Sequence, residues 1–157
     1  MPATQRQFPI DDPAVVLASV ATARHHLRGY NEDAILDLIE SGELLYAWNI
    51  GLGPTRLVRI WPACLEYYQK NPASAWKFPQ TEDQVLSEML RRVGDKPFIR
   101  SYALRLIFNC SATHITNLLH AGALRVLPNT TWGRGPSGSA LITITSVKQF
   151  LVERRLP

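Results

Sequence analysis

The chain has 157 residues, of which 46% are hydrophobic and 19% charged, and its formal net charge is +4. This length can bury one core or two small cores of roughly 60 to 70 residues each. No run approaches the roughly 18 apolar residues that cross a bilayer, and residues 1–12 lack the pattern of a secretion signal, so we expect a soluble, cytoplasmic protein.

The two cysteines, Cys64 and Cys110, have no partner at metal-ligand spacing. This argues against a zinc ribbon or a disulfide framework and favours buried apolar thiols. The charge is uneven along the chain. Residues 1–70 carry a net charge of −2 and residues 71–95 carry −1, whereas residues 96–157 have eight basic residues and one acidic residue, a net +7. A positive potential concentrated in one third indicates an anionic partner.

An internal repeat organises the chain, because residues 35–44 recur as residues 115–124 at an offset of 80. The Gly-x-Gly-Pro of residues 51–54 recurs at 133–136, and the apolar residues 57–60 recur at 141–144, at an offset of 84. We therefore predict four parts: an N-terminal extension (1–17), a first repeat (18–70), a linker with a helix over 82–93 (71–95) and a second repeat (96–157).

Each repeat is predicted to contain a helix, a turn, a second helix, a hairpin and a final helix. In the first repeat, Asn31 caps the second helix and Gly42 closes it in a left-handed conformation. Strands are predicted over Leu45–Ile50 and Leu57–Ile60, with glycine and proline at the hairpin tip, and a short helix starts near Pro62.

The linker contains the capping-box pattern Thr81-Glu82-Asp83-Gln84, which predicts a helix that Gly94 ends. The helix carries an apolar stripe of Val85, Leu86, Met89, Leu90 and Val93. This stripe is expected to pack within the chain, or else against a second subunit.

In the second repeat, Ser101 is predicted to cap a helix from about Tyr102 to Phe108, and Ser111 to cap a second helix that runs to about Ala121. Gly122 closes that helix. Strands are predicted over Leu124–Leu127 and Leu141–Ile144, followed by a helix that starts near Ser146.

Residues 35–44, with Gly29 before them and the Arg59–Tyr67 segment after them, resemble the excisionase-like and MerR-type winged helix-turn-helix domains, and both repeats fit. The resemblance covers roughly residues 18–68 and 98–152. It implies a mainly α fold with small β-hairpin wings, in which two tandem winged helix-turn-helix domains are joined by a linker helix. Members of this family include transcription regulators, recombination directionality factors and phage DNA-packaging adaptors, so we expect a gene of bacterial, phage or plasmid origin.

In such domains the second helix enters the major groove and the wing approaches the DNA backbone or minor groove. The face of the second repeat's helix that is opposite its apolar stripe is polar and carries Thr113, Thr116, Asn117 and His120, with Ser111 at its start. Such side chains can meet base edges or phosphates. The matching positions of the first repeat are Asp33, Leu36, Asp37 and Glu40, where phosphates would repel the carboxylates. We therefore expect the second repeat to read double-stranded DNA and the first to bind a protein or mediate dimerisation.

Further DNA contacts are expected from basic and aromatic side chains of both repeats. They are Arg100, Arg105, Arg125, Trp132 and Arg134 in the second repeat, and Arg28 and Arg56 in the first. Arg134 at a hairpin tip suits a narrow minor groove, where Trp132 would stack unless it packs onto its own domain. Arg59 is also available for phosphate contact, whereas Arg24, His25 and His26 fit a solvated surface better.

The sequence contains no catalytic constellation, phosphate-cradling loop or paired metal-ligand motif, so we expect no enzyme activity, no metal and no cofactor. The leading hypothesis is a sequence-specific regulator or a recombination, plasmid or phage accessory factor, acting on DNA as a homodimer or larger assembly. The alternative is a protein-interaction adaptor whose interface is the acidic helix, Leu52 and the linker stripe. RNA binding is a weaker third option.

Overall fold

The computed structural model describes residues 16–127 and 140–156, and these residues form a mainly helical protein with two small antiparallel sheets. The N-terminal half, residues 16–70, contains β1 (Ala18–Ser19), α1 (Val20–His26), α2 (Glu32–Glu40), β2 (Ala47–Asn49), β3 (Val58–Ile60) and α3 (Pro62–Lys70). The connecting segment, residues 71–95, contains α4 (Glu82–Met89) between short 3-10 helices at Pro72–Lys77 and Arg91–Val93. The C-terminal half, from residue 96, contains β4 (Phe98–Arg100), α5 (Ser101–Phe108), α6 (Ala112–His120), β5 (Leu141–Thr143) and α7 (Ile144–Arg154).

The predicted starts and ends of the second helix in each half are confirmed. Asn31 Oδ1 accepts a hydrogen bond from the Ala34 amide at 2.8 Å, and Ser111 Oγ accepts one from the His114 amide at 3.0 Å. These bonds satisfy amides that the first turn of a helix leaves without a partner. Gly42 and Gly122 follow the helices with φ of 83° and 79°, as the left-handed closing residue requires.

Ser101 is not the helix cap that was predicted. The cap position of α5 is Arg100, and Ser101 is instead tied to the start of the neighbouring strand segment. Its amide donates to the Ala140 carbonyl at 2.9 Å, and its hydroxyl accepts from the Ala140 amide at 3.2 Å. The final helix likewise begins earlier than expected, at Ile144, because the hydroxyl of Thr143 caps it through the amide of Ser146.

Both sheets include a strand that the sequence analysis missed, since β1 and β4 are too short to give a periodic signal. The sheet of the N-terminal half has the order β1-β3-β2, and β4 pairs with β5 in the other half. Ile60 lies between Ala18 and Ala47, and Ile142 lies between Ile99 and Val126. Ile60 therefore corresponds to Ile142 at an offset of 82, not to Ile144. Within the described residues, the predicted strand Leu124–Leu127 is reduced to the single bridge at Val126.

The connecting segment packs against the N-terminal half. This is the packing within the chain that the sequence predicted as the first of two alternatives. The capping box of Thr81 and Gln84 is present, and Val85, Leu86, Met89 and Leu90 are buried within the chain. Tyr46 Oη donates to the Gln80 carbonyl and Trp61 Nε1 donates to Gln80 Oε1, both at 2.8 Å. Four residues of the predicted stripe are thus packed within the chain, whereas Val93 is half-buried.

The two halves share one apolar core, and each sends a chain segment across to the other. Leu17, assigned to the extension from sequence, is fully buried, and its amide donates to the Ile107 carbonyl of α5 at 3.0 Å. At the other end of the chain, the Leu156 amide donates to the Ala47 carbonyl of β2 at 2.8 Å. The backbone of Arg155 forms an isolated antiparallel β-bridge with that of Trp48. These reciprocal contacts join the halves into one packed body.

Arg59 is the polar centre of the contact between the halves. Its side chain leaves β3 on the face away from the core of its own half, yet it is only 9% exposed because the C-terminal half covers it. Nε donates to the carbonyls of Phe108 and Asn109 at 3.0 and 2.9 Å, and Nη2 donates to Asn109 at 2.7 Å. Burial lowers the pKa of Arg59, but a guanidinium remains charged at physiological pH.

Replacing Arg59 should therefore loosen the contact between the halves. Arg59→Met should lower the free energy of unfolding by about 3 kcal/mol, since it leaves buried carbonyl oxygens without a donor. Arg24 is exposed on α1, and Arg24→Met should change stability by less than about 0.5 kcal/mol. Urea unfolding followed by circular dichroism compares the two variants. Equal stability of both variants would contradict this role for Arg59.

Candidate nucleic-acid interface

The polar face of α6 is exposed as the sequence predicts. Ile115 and Leu118 are buried in the core, while Thr113, Thr116, Asn117 and His120 are exposed on the other side of the helix. Their spacing of three, four and seven residues from Thr113 aligns them along one stripe of the helix. The stripe contains no carboxylate.

The hydroxyls on α6 are not equally available to a ligand. Ser111 Oγ is engaged in capping the helix, and Thr116 Oγ1 donates to the Ala112 carbonyl at 3.2 Å. The side chains of Thr113 and Asn117, by contrast, form no hydrogen bond within the described ranges 16–127 and 140–156. These two side chains are therefore the best placed to bond an external partner.

The equivalent face of α2 is acidic and also exposed. Asp33, Asp37 and Glu40 are exposed, whereas Leu36 is half-buried against the core. Asp33 lies in the first helical turn, where the positive end of the helix dipole stabilises a carboxylate. That local explanation does not extend to Asp37 and Glu40, which lie farther along the helix. Their charge would repel a phosphate backbone.

The predicted basic contacts divide into exposed and occupied residues. Arg28, Arg56, Arg100 and Arg125 are exposed. Arg105 is half-buried, with its guanidinium carbon 5.8 Å from the ring centre of Tyr102. Trp132 and Arg134 lie outside the described residues. Arg59, which was expected to be available for phosphate contact, is instead buried between the halves.

His114 has a structural role that sequence reasoning missed. It projects from the first turn of α6, and its Nε2 lies 2.6 Å from the carbonyl oxygen of Ile50, at the end of β2. A carbonyl only accepts, so Nε2 carries the hydrogen in this contact. The bond joins residues 64 positions apart, and no local pattern signals it. It places the hairpin of the N-terminal half beside α6.

The loop of that hairpin, residues 51–57, is held by short polar contacts, and we call it the first hairpin loop. Asn49 Oδ1 accepts from the amides of Gly51 and Leu57, both at 3.0 Å, and so ties the two ends of the loop together. From the C-terminal half, Arg154 Nη1 donates to the Gly51 carbonyl at 2.6 Å. The first hairpin loop is therefore fixed both by its own residues and by the other half.

Comparisons with protein-family models, with curated proteins and with solved structures find no match to this chain. The functional argument therefore depends on the geometry and charge described above. Across residues 16–127 and 140–156, the helices are too short and too polar for any of them to span a membrane.

The two cysteines are free thiols, Cys64 buried and Cys110 half-buried. No group of three metal-ligating side chains occurs among the described residues. Burial raises the pKa of Cys64 to about 12 and that of Cys110 to about 11. Because the thiolate is the reactive form, a raised pKa leaves little reactive thiol at neutral pH.

Both thiols should consequently resist alkylation in the folded protein. At about pH 8, iodoacetamide should modify Cys64 and Cys110 more than about a hundredfold more slowly in the native state than in urea, since unfolding returns each pKa to its ordinary value. Cys64, with the higher pKa, should be the slower of the two. Time-resolved mass spectrometry of the alkylated peptides measures both rates, and native rates close to the unfolded rates would contradict the burial of these thiols.

Proposed function

We propose that the protein binds double-stranded DNA, with α6 in the major groove. The observation that carries this proposal is the exposed, carboxylate-free face of α6, in a stretch of chain whose net charge is +7. Thr113 and Asn117 are suited to base edges, because a side-chain amide can bond adenine with two hydrogen bonds. Exposed Arg100 and Arg125 supply charge for phosphates.

We further propose that the two halves are winged helix-turn-helix units. Each begins with a short strand and continues with two successive helices, a strand that pairs antiparallel with the first strand, and a final helix. This order supports the proposal, as does the shared pattern of caps and closing glycines. A protein of this type would act as a transcription regulator or as an accessory factor for recombination, plasmid or phage functions, and would need no cofactor.

The charge of the α6 face gives a direct test. Asn117→Asp places a carboxylate where α2 carries Asp37, and it should weaken duplex binding by about 1–3 kcal/mol, or roughly fivefold to 150-fold. Gln69 is an exposed amide on α3, so Gln69→Glu makes the same change of charge on a different helix. Fluorescence anisotropy with a labelled random duplex should show near wild-type affinity for Gln69→Glu. Equal affinities of both variants would rule out α6 as the DNA-contacting helix.

A second candidate function is a protein-interaction adaptor, and the exposed carboxylates of α2 favour it. Trp76, 63% exposed on the connecting segment, is a large apolar side chain that a partner protein could cover. Of the apolar residues expected in such an interface, Val93 and Leu52 are half-buried, and the other stripe residues, Val85, Leu86, Met89 and Leu90, are buried within the chain.

Salt dependence separates the two functions. A DNA binder should lose affinity for random duplex steeply as salt rises. Binding releases counterions from the DNA, and this release contributes less free energy when the salt concentration in solution is high. The expected plot of log affinity against log salt is a line of negative slope. Negligible duplex affinity even at low salt would favour the adaptor.

A further inference from the structure

We infer that the first hairpin loop of the N-terminal half and α6 of the C-terminal half form one composite DNA-binding surface, in which Arg56 contacts a phosphate. This inference rests on the proposed function and adds to it a residue from the other half of the chain. It differs from an arrangement in which each half uses its own helix and its own hairpin.

The first support is the position of the loop. Ile50 immediately precedes the loop, and its carbonyl accepts the hydrogen bond from His114 Nε2. His114 lies in the same helical turn as Thr113, which is exposed and directed away from the core. A duplex seated on α6 would thus lie next to the base of the first hairpin loop.

The second support is the rigidity of the loop. The two bonds to Asn49 Oδ1 close its ends, and the Thr55 amide donates to the Leu52 carbonyl at 3.1 Å. Gly51 packs so closely on the loop backbone that an added Cβ would overlap the Thr55 carbonyl oxygen. A loop already ordered in this way loses little conformational entropy when it binds a ligand.

The third support is the brace from α7. Arg154 directs Nη1 at the Gly51 carbonyl, and its guanidinium carbon lies 5.0 Å from the ring centre of Phe150. Nη1 thus bonds the backbone of the hairpin at Asn49 and at the first residue of the loop. Arg154 thus acts as a positioning residue, and the cation that the loop itself presents is Arg56.

The side chains at the exposed tip of the first hairpin loop indicate the kind of partner that it can bind. Residues 53–56 are exposed, and the loop sequence Gly-Leu-Gly-Pro-Thr-Arg-Leu contains no carboxylate. An exposed guanidinium without an acidic neighbour in its loop suits a phosphate, which accepts two parallel N–H bonds from it. Because the adjacent helix is the proposed groove reader, the phosphate assigned here belongs to the DNA backbone beside that groove.

The experiment compares Arg56→Ala with Arg24→Ala, two substitutions that each remove one exposed arginine from the N-terminal half. Affinity for a labelled random duplex is measured by anisotropy over a series of salt concentrations. Arg56→Ala should weaken binding about fivefold to tenfold at about 0.1 M salt, uniformly across duplex sequences, and reduce the salt slope by about 1. Arg24→Ala should keep the wild-type slope. Urea midpoints of both variants verify that folding is unchanged.

A double-mutant cycle tests whether the packing of the loop on α6 matters. If His114 holds the loop in place, Arg56→Ala should cost less in a His114→Ala background than in the wild type. Equal costs in both backgrounds would overturn the role of His114 in holding the loop beside α6.

Different results would contradict the role of Arg56 and the DNA-binding function of α6. If the wild type binds duplex and Asn117→Asp impairs it, but Arg56→Ala matches Arg24→Ala, then the role of Arg56 is wrong and the function of α6 stands. If the wild type binds no duplex at low salt, both the function and the composite surface are overturned.

Discussion

The contact of Arg59 with the end of α5 determines how the rest of the molecule is arranged. The carbonyls of Phe108 and Asn109 lie at the C-terminal end of that helix, where partial negative charge accumulates and a cation is stabilised. A guanidinium is suited to this position because several of its donors can be satisfied at once. Since β3 is then covered on both faces, its residues 58–60 are all buried. The two halves consequently pack as one body, in contrast to separate modules on a flexible linker.

The sequence predicts well those features that local interactions determine. Asn31 and Ser111 cap helices through bonds to amides three residues away. Gly42 and Gly122 adopt a positive φ, which the local backbone at the end of each helix requires. The exposed face of α6 follows from helical periodicity alone. Contacts of Arg59 and His114 span about 50 and 64 residues, and they depend on how the halves dock. No spacing rule encodes that docking, so Arg59 was expected to be available for phosphate contact and the role of His114 was missed.

The division of labour between the repeats also changes once their docking is known. From sequence, the acidic face of α2 separates the first repeat from DNA and leaves it a protein-binding role. In the structure, that face and the first hairpin loop belong to the same half, and the bond from His114 to Ile50 holds the loop beside α6. One half can therefore provide both an acidic surface unsuited to phosphate and a basic loop suited to it. The sign of the net charge of a whole repeat therefore does not indicate which of its parts can contact an anion.

The same reasoning revises what the net charge of +7 means. Arg154 is directed at backbone carbonyls, and Arg155 lies 3.8 Å from Glu82 and over the ring of Tyr46. Arg105 is half-buried beside Tyr102. Three of the eight basic side chains in residues 96–157 thus contact other groups of the protein, so the net charge overstates the number of cations that are available to an anion. Arg154, one of these three, contacts the Gly51 carbonyl and so helps to fix the loop that carries Arg56, a cation from outside that stretch.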